Sequence, residues 1–247
     1  MNTYPMYEQI TEIRRKLQKK LDPMRYEHTL SVSFTCMNLA MNYGYDLQKA
    51  ELAGLLHDCA KHFTDEELIA RCEKHGIPLT EGQIKAPAVI HAIYGAWLAE
   101  HKYGLEDPEI LEAIRCHTTG KPAMSMLEKI LYIADFIEPR RDKAPSLPAV
   151  RALAFQDLDQ TVYEIMDGTL HYLKQEGSCV DPMTEEAYQY YQKLAEAKTA
   201  QETKTFSQTK QESSFKKGDA ENGTGKRNDK AGYKRPGRQK RRGCKGH

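Results

Sequence analysis

No run of 18 consecutive apolar residues occurs in the 247-residue chain, so no membrane-spanning helix is expected. The opening "MNTYPMYEQITEIRRKLQKK" lacks the continuous apolar segment of a secretory leader. Six cysteines are present, but they are scattered at 36, 59, 72, 116, 179 and 244 with no C-x-x-C spacing. That distribution argues against a zinc ribbon or a disulfide framework and fits a reduced, cytoplasmic setting. Sustained period-two alternation between hairpin turns is also missing, and with it the signature of a β-sheet. Internal repeats are not detectable, and the lone tryptophan, Trp97, reads as a core residue.

What the chain does contain is helical punctuation. Asp22-Pro23 places an N-cap before a proline suited to the first turn, and Thr64 with Glu67 and Ser125 with Glu128 fit the capping box. Gly44, Gly76, Gly104 and Gly177 each close a periodic stretch. The predicted helices are 24–43, 47–60, 65–75, 87–102, 107–117, 125–138, 148–155, 157–175 and 183–197. The fold class is therefore all-α. From residue 198 the apolar pattern stops, and the composition has too little hydrophobic content to offset the entropy of ordering. Two parts are expected: a helical domain over 1–197 and a disordered basic tail over 198–247. Residues 201–247 carry 14 Lys and Arg against 5 Asp and Glu, a charge of +9, while the remainder carries −8. An acidic body with a basic tail is hidden by the near-neutral total.

Within the body, "ELAGLLHDCAKHF" ends an apolar helix on His57 and Asp58, with Lys61 one turn on. His28, His91 and His117 lie in or at the ends of other apolar helices, and Asp135 sits among Ile130, Ile133, Phe136 and Ile137 with no obvious local cation. Each has an ordinary alternative: a lone helical histidine is usually a hydrogen-bonded surface or core residue, and a lone aspartate usually pairs with an arginine. Their combination is harder to dismiss, because polar groups at the edge of a core are costly until something satisfies them. Neighbours on an α-helix diverge by about 100°, so His57 and Asp58 can share one ion only near a helix end. A metal ion would satisfy the whole set.

The order His28, His57-Asp58, Asp135 resembles the HD-domain metal-dependent phosphohydrolases. The segments "RYEHTLSV", "AGLLHDCAKHF", "VIHAIYGAWLA", "CHTTGKPAMSMLEKILYIADFIEPRR" and "GSCVDPMTEEAYQYY" are similar to the YqeK-type subgroup of symmetrical bis(5'-nucleosyl)-tetraphosphatases. The resemblance implies one helical HD-domain bundle that cleaves diadenosine tetraphosphate to two ADP through metal-activated water. It implies metal ligands at His28, His57, Asp58 and Asp135. His91 and His117 match the subgroup's extra histidines, either completing a second metal site bridged by Asp58 or binding phosphate. The subgroup is associated with iron, and an imidazole and carboxylate shell without thiolate also suits manganese and does not exclude zinc or another divalent metal.

The substrate's negative charge then picks out cations. Lys61 shares a helix face with Asp58 and can reach a phosphate, its ordinary alternative being a surface pair with Asp65. Arg25, three residues before His28, and Arg140, just beyond Pro139, are candidate phosphate clamps. Thr118, Thr119 and Gly120 offer hydroxyl and backbone donors after His117, or simply make the turn. His62 is spaced as a ligand but lies outside the subgroup pattern. His75 and His101 suit helix capping, Glu138 a supporting role beside Asp135 or Arg140, and Cys59 and Cys116 core packing. Two other classes remain open: an HD phosphohydrolase of other specificity, or a non-catalytic nucleotide- or RNA-binding module. The tail inherits nothing from the resemblance; weak, salt-dependent RNA or polyanion binding is its expected partner chemistry. No membrane partner is expected, and self-association into a homo-oligomer stays open.

Overall fold

The computed structural model describes residues 5–218, with side-chain surroundings for 8–201. Among these residues there are eleven α-helices, one 3-10 turn and no strand. They are α1 Pro5–Lys20, α2 Pro23–Tyr43, α3 Leu47–Leu56, α4 Asp65–Lys74, α5 Glu81–Lys85, α6 Ile90–Tyr103, α7 Pro108–Cys116, α8 Met126–Ile137, α9 Leu147–Leu153, α10 Leu158–Gln175 and α11 Pro182–Gly218. The 3-10 turn, Pro87–Val89, leads directly into α6.

Local chemistry sets most of these boundaries. Asp22 caps α2 by accepting from the Arg25 N–H at 3.0 Å, and Gly44, at φ 66°, ends the helix with its N–H bonded to the Ala40 carbonyl. Thr64 with Glu67 and Ser125 with Glu128 make complete capping boxes, each satisfying two otherwise orphan backbone donors. Two elements are absent from the sequence-based set. They are α1 and the five-residue α5, which rests on a further box, Thr80 with Gln83.

Helix α3 also ends earlier than predicted, at Leu56, with His57 as its C-cap. The chain then tightens into successive turns, Cys59 N–H to Leu56 O, Lys61 N–H to Asp58 O and Phe63 N–H to Ala60 O. At the other end of the body, α11 runs past the expected boundary at 197/198 as far as Gly218. No glycine or proline interrupts residues 183–217, so helix propensity carries on after the apolar face is used up. One compact unit reaches Ala200, and a second begins at Gln201. Residues 219–247, where most of the basic tail and Cys244 fall, lie outside the described residues.

The core is built around α2, α3, α7 and α8, with Val32, Leu39, Leu55, Leu56, Ile114, Leu127, Ile130 and Ile133 fully buried. Truncating such a leucine to alanine costs about 2–5 kcal/mol. Gly54 decides how closely α2 meets α3. A Cβ on Gly54 would lie 2.5 Å from the Ser33 Cα, closer than atoms pack, so any side chain would push apart the helices that carry His28 and His57. Overpacking of this kind costs about 1–3 kcal/mol.

Candidate metal centre

Five elements deliver six side chains to one buried point. His28 comes from the second turn of α2, His57 and Asp58 from the end of α3, His91 from the start of α6, His117 from the C-cap of α7 and Asp135 from α8. His57, Asp58, His91 and His117 are buried; Asp135 is half-buried.

The carboxylate of Asp58 lies between two sets of imidazoles. Its Oδ2 is 3.8 Å from His28 Nε2 and 3.5 Å from His57 Nε2. Its Oδ1 is 3.2 Å from His91 Nε2 and 3.8 Å from His117 Nε2. On the Oδ2 side, Asp135 Oδ1 approaches His28 Nε2 at 3.1 Å and His57 Nε2 at 3.9 Å. Two ligand atoms on one ion, each about 2.1 Å from it, lie roughly 3–3.5 Å apart, and these separations are close to that spacing. Three overlapping trios each bring their ligand atoms within 4.8 Å of one another: His28, His57 and Asp58; His57, His117 and Asp135; Asp58, His91 and His117.

The imidazoles are oriented from behind. His57, His91 and His117 each donate Nδ1–H to the carbonyl three residues earlier, Gly54, Ala88 and Ile114, at 2.7, 2.6 and 2.8 Å. His28 Nδ1 faces Glu138 Oε1 at 3.2 Å. Such partners fix the tautomer and leave the Nε2 lone pair for a cation. The Nε2 atoms of His91 and His117 lie 3.3 Å apart, and the buried Nε2 atoms of His28 and His57 have no hydrogen-bond partner. Lone pairs converging on two carboxylates without protons between them fit a divalent cation.

The charge states of Asp58, Asp135, His57 and His117 agree with this. Burial opposes ionisation of Asp58, but His57, His91 and His117 outweigh it and hold the carboxyl well below its usual range. Asp135 is lowered likewise, burial being overcome by the adjacent His28 and by the neighbouring charges of His57 and Arg141. Burial lowers His57, and burial together with His57 and His91 lowers His117 to about 3. Burial also opposes protonation of His28, yet Asp135, Glu138 and Asp58 raise its pKa overall. Ionised carboxylates and neutral imidazoles are the forms that bind metal.

The cations are placed less as expected. Arg25 Nη1 bonds Asp58 Oδ2 at 2.7 Å. Lys61 Nζ lies 3.1 Å from His91 Nδ1, but that nitrogen already donates to Ala88 O, so the ammonium is not held there as a donor. Much of the Lys61 side chain is exposed, although partial burial of the ammonium lowers its pKa. Arg140 turns away and pairs with Glu27 at 2.6 Å. Its neighbour Arg141 reaches Asp135 Oδ1 instead, at 2.8 Å, so Asp135 does have a cation close by. Pro139 breaks the helical count, which is why spacing from Asp135 pointed to Arg140 and passed over the Arg141 contact.

Thr118 Oγ1 sits 3.4 and 3.3 Å from the Nε2 atoms of His91 and His117. The Thr119 hydroxyl donates to the Gly120 carbonyl instead. Of the remaining polar residues, His62 stacks on Phe63. His75 is the C-cap of α4 and stacks on Trp97. His101 donates to the Trp97 carbonyl in the last turn of α6. Cys59 Sγ faces Gly95 O and Cys116 Sγ faces Ala113 O, and burial pushes both thiols up, so neither supplies a thiolate.

Residues 25–140 match the family model for the HD domain. The chain is 40% identical over 171 residues to the symmetrical bis(5'-nucleosyl)-tetraphosphatase of Bacillus subtilis, covering 68% of this chain and 89% of that one. It is 36% identical to the enzyme of the same name from Staphylococcus aureus, covering 74% and 94%. The chain belongs to the HD-domain family of symmetrical bis(5'-nucleosyl)-tetraphosphatases. A solved structure from Clostridium acetobutylicum, described as a predicted HD superfamily hydrolase involved in NAD metabolism, matches with a TM-score of 0.71 and 37% identity, covering 76% of this chain and 97% of that one. No helix among the described residues is long and apolar enough to cross a membrane.

Proposed function

We propose that this chain hydrolyses diadenosine tetraphosphate symmetrically to two ADP at a centre that takes two metal ions with Asp58 between them. The observation that carries the reading is the division of Asp58: Oδ2 faces His28 and His57, and Oδ1 faces His91 and His117. His28, His57, Asp58 and Asp135 would hold one ion, and Asp58, His91 and His117 the other. Imidazole and carboxylate donors without thiolate suit iron or manganese. Such an ion, when bound, polarises a phosphoryl oxygen and lowers the pKa of coordinated water.

The chain's own residues do the rest. The carbonyls behind His57, His91 and His117 keep the Nε2 lone pairs aimed inward, and Glu138 does the same for His28. Lys61 offers an ammonium that a phosphate oxygen can take up. Arg25 and Arg141 rest on the carboxylates of Asp58 and Asp135, where an incoming polyphosphate competes for their guanidinium groups. The Thr118 hydroxyl is a further donor at the edge of the cluster. Polyanion binding by the +9 segment at 201–247 is a separate activity that this site does not need.

Product analysis tests the reading. Metal-loaded protein given diadenosine tetraphosphate should release ADP alone; AMP plus ATP, or an untouched tetraphosphate beside turnover of another nucleotide, would overturn it.

A further inference from the structure

Helix α8 ends at Ile137, and Pro139 has no N–H with which to continue it. The last carbonyls of such a helix lack intrahelical partners and carry the negative end of its dipole. Two arginines close this end. Arg141 bonds the Asp135 carbonyl through Nε at 3.2 Å and the Asp135 carboxylate through Nη2 at 2.8 Å. Arg151, on α9, spends its guanidinium on backbone: Nε donates to the Ile137 carbonyl, and Nη2 to those of Glu138 and Arg141, each at 2.8 Å.

The turn that Arg151 spans is the one that aims Glu138. Glu138 is the C-cap of α8 and is 2% exposed. Both of its carboxylate oxygens are engaged: Oε2 accepts from the Arg140 N–H at 2.7 Å, and Oε1 faces His28 Nδ1 at 3.2 Å. The Arg141 N–H closes the same turn on the Glu138 carbonyl at 3.0 Å. A guanidinium that grips the carbonyls of residues 137, 138 and 141 fixes where that carboxylate stands, although none of the three belongs to the metal cluster. The planar fork matters here, because an ammonium at the same place is a single point charge and cannot span three carbonyls in one geometry.

We propose that Arg151 is a positioning residue for the metal centre: by fixing the turn between α8 and α9 it holds Glu138 on His28 Nδ1, and so keeps His28 Nε2 aimed at the position shared with His57, Asp58 and Asp135. The inference rests on the metal reading above and adds to it a residue that acts through two others. A carboxylate behind a ligating imidazole fixes its tautomer and raises its basicity, and Arg151 supplies the rigidity that this support needs.

Calorimetric titration of the full-length chain with manganese tests the role, with Glu138→Gln as the reference. Arg151→Lys keeps the charge and loses the fork. It should weaken the manganese step that Glu138→Gln weakens, by ~10-fold as for other outer partners of a ligand, and leave the step assigned to His91 and His117 unchanged. Because Arg151 acts through Glu138, the double variant should bind within ~2-fold of Glu138→Gln alone, whereas two independent supports would add to a loss of ~100-fold. In Arg151→Ala, added guanidinium should restore the lost affinity and methylammonium should not. Full manganese affinity in Arg151→Lys, equal loss of both steps, or additive losses in the double variant would overturn the positioning role and leave the tetraphosphatase reading as it stands. A parent whose manganese binding depends on Arg151 in this way, but which turns diadenosine tetraphosphate into AMP plus ATP, would overturn the tetraphosphatase reading and keep the positioning role.

Discussion

On the Oδ2 side of Asp58 the cluster carries a second carboxylate, Asp135, and its outer histidine, His28, is backed by the carboxylate of Glu138. On the Oδ1 side there are only imidazoles, His91 and His117, backed by backbone carbonyls, with a threonine hydroxyl and a lysine ammonium beside them. The first half gathers three carboxylates, partly offset by Arg25 on Asp58 and Arg141 on Asp135, and the second shares one carboxylate and gathers neutral donors. In the proposed two-ion centre, Coulomb attraction would rank the two positions: the first cation would go to His28, His57, Asp58 and Asp135, and the weaker position beside His91 and His117 is also the one facing Lys61, where phosphate is expected. The difference separates holding the metal from presenting the substrate.

The ranking can be broken from either end. His28→Ala should abolish the tight manganese-binding step and lower turnover by ~1000-fold or more, roughly 4 kcal/mol of transition-state stabilisation. His91→Ala should keep that step and lose only the weaker one. Calorimetry with manganese reads both, and loss of the tight step in His91→Ala would reverse the order. Glu138→Gln removes the charge behind His28 and should weaken the tight step by about 10-fold, at the low end for an outer partner of a ligand; unchanged binding would remove Glu138 from the metal site.

Lys61→Ala should retain both metals by elemental analysis and lower kcat/KM about 10- to 100-fold, the equivalent of about 1.4–2.8 kcal/mol. Metal loss equal to that of a ligand variant would sink the division of roles. Ending the chain after Ala200 should change metal content and turnover least of all, because every cluster residue precedes it. Any RNA affinity at low salt should then disappear, whereas affinity that survives would belong to the body.

Which parts of this were legible in advance follows from how local their causes are. Asp22, Thr64 and Ser125 declare their helices because a cap acts within three residues. His57-Asp58 declares a helix end because two adjacent ligands cannot otherwise converge. Arg141 was hidden by Pro139, which ends the periodicity that a face argument needs, so the count from Asp135 favoured Arg140. Glu138 reads from spacing as a support for Asp135 or Arg140, but its partnership with His28 is a contact between residues 110 apart that no spacing rule reaches. The run of α11 to Gly218 was missed because low hydrophobicity was weighed above the absence of helix breakers. The two faces of Asp58 were open only as an alternative, since the sequence places the histidines on helices but not on sides of a carboxylate.

The most direct test is the metal content of anaerobically purified full-length protein beside its Asp58→Ala variant, with helicity checked by circular dichroism. The two-ion account predicts about two metal ions per chain in the parent and close to none in the folded variant, because Asp58 serves both positions. Parent-level metal in folded Asp58→Ala would contradict it.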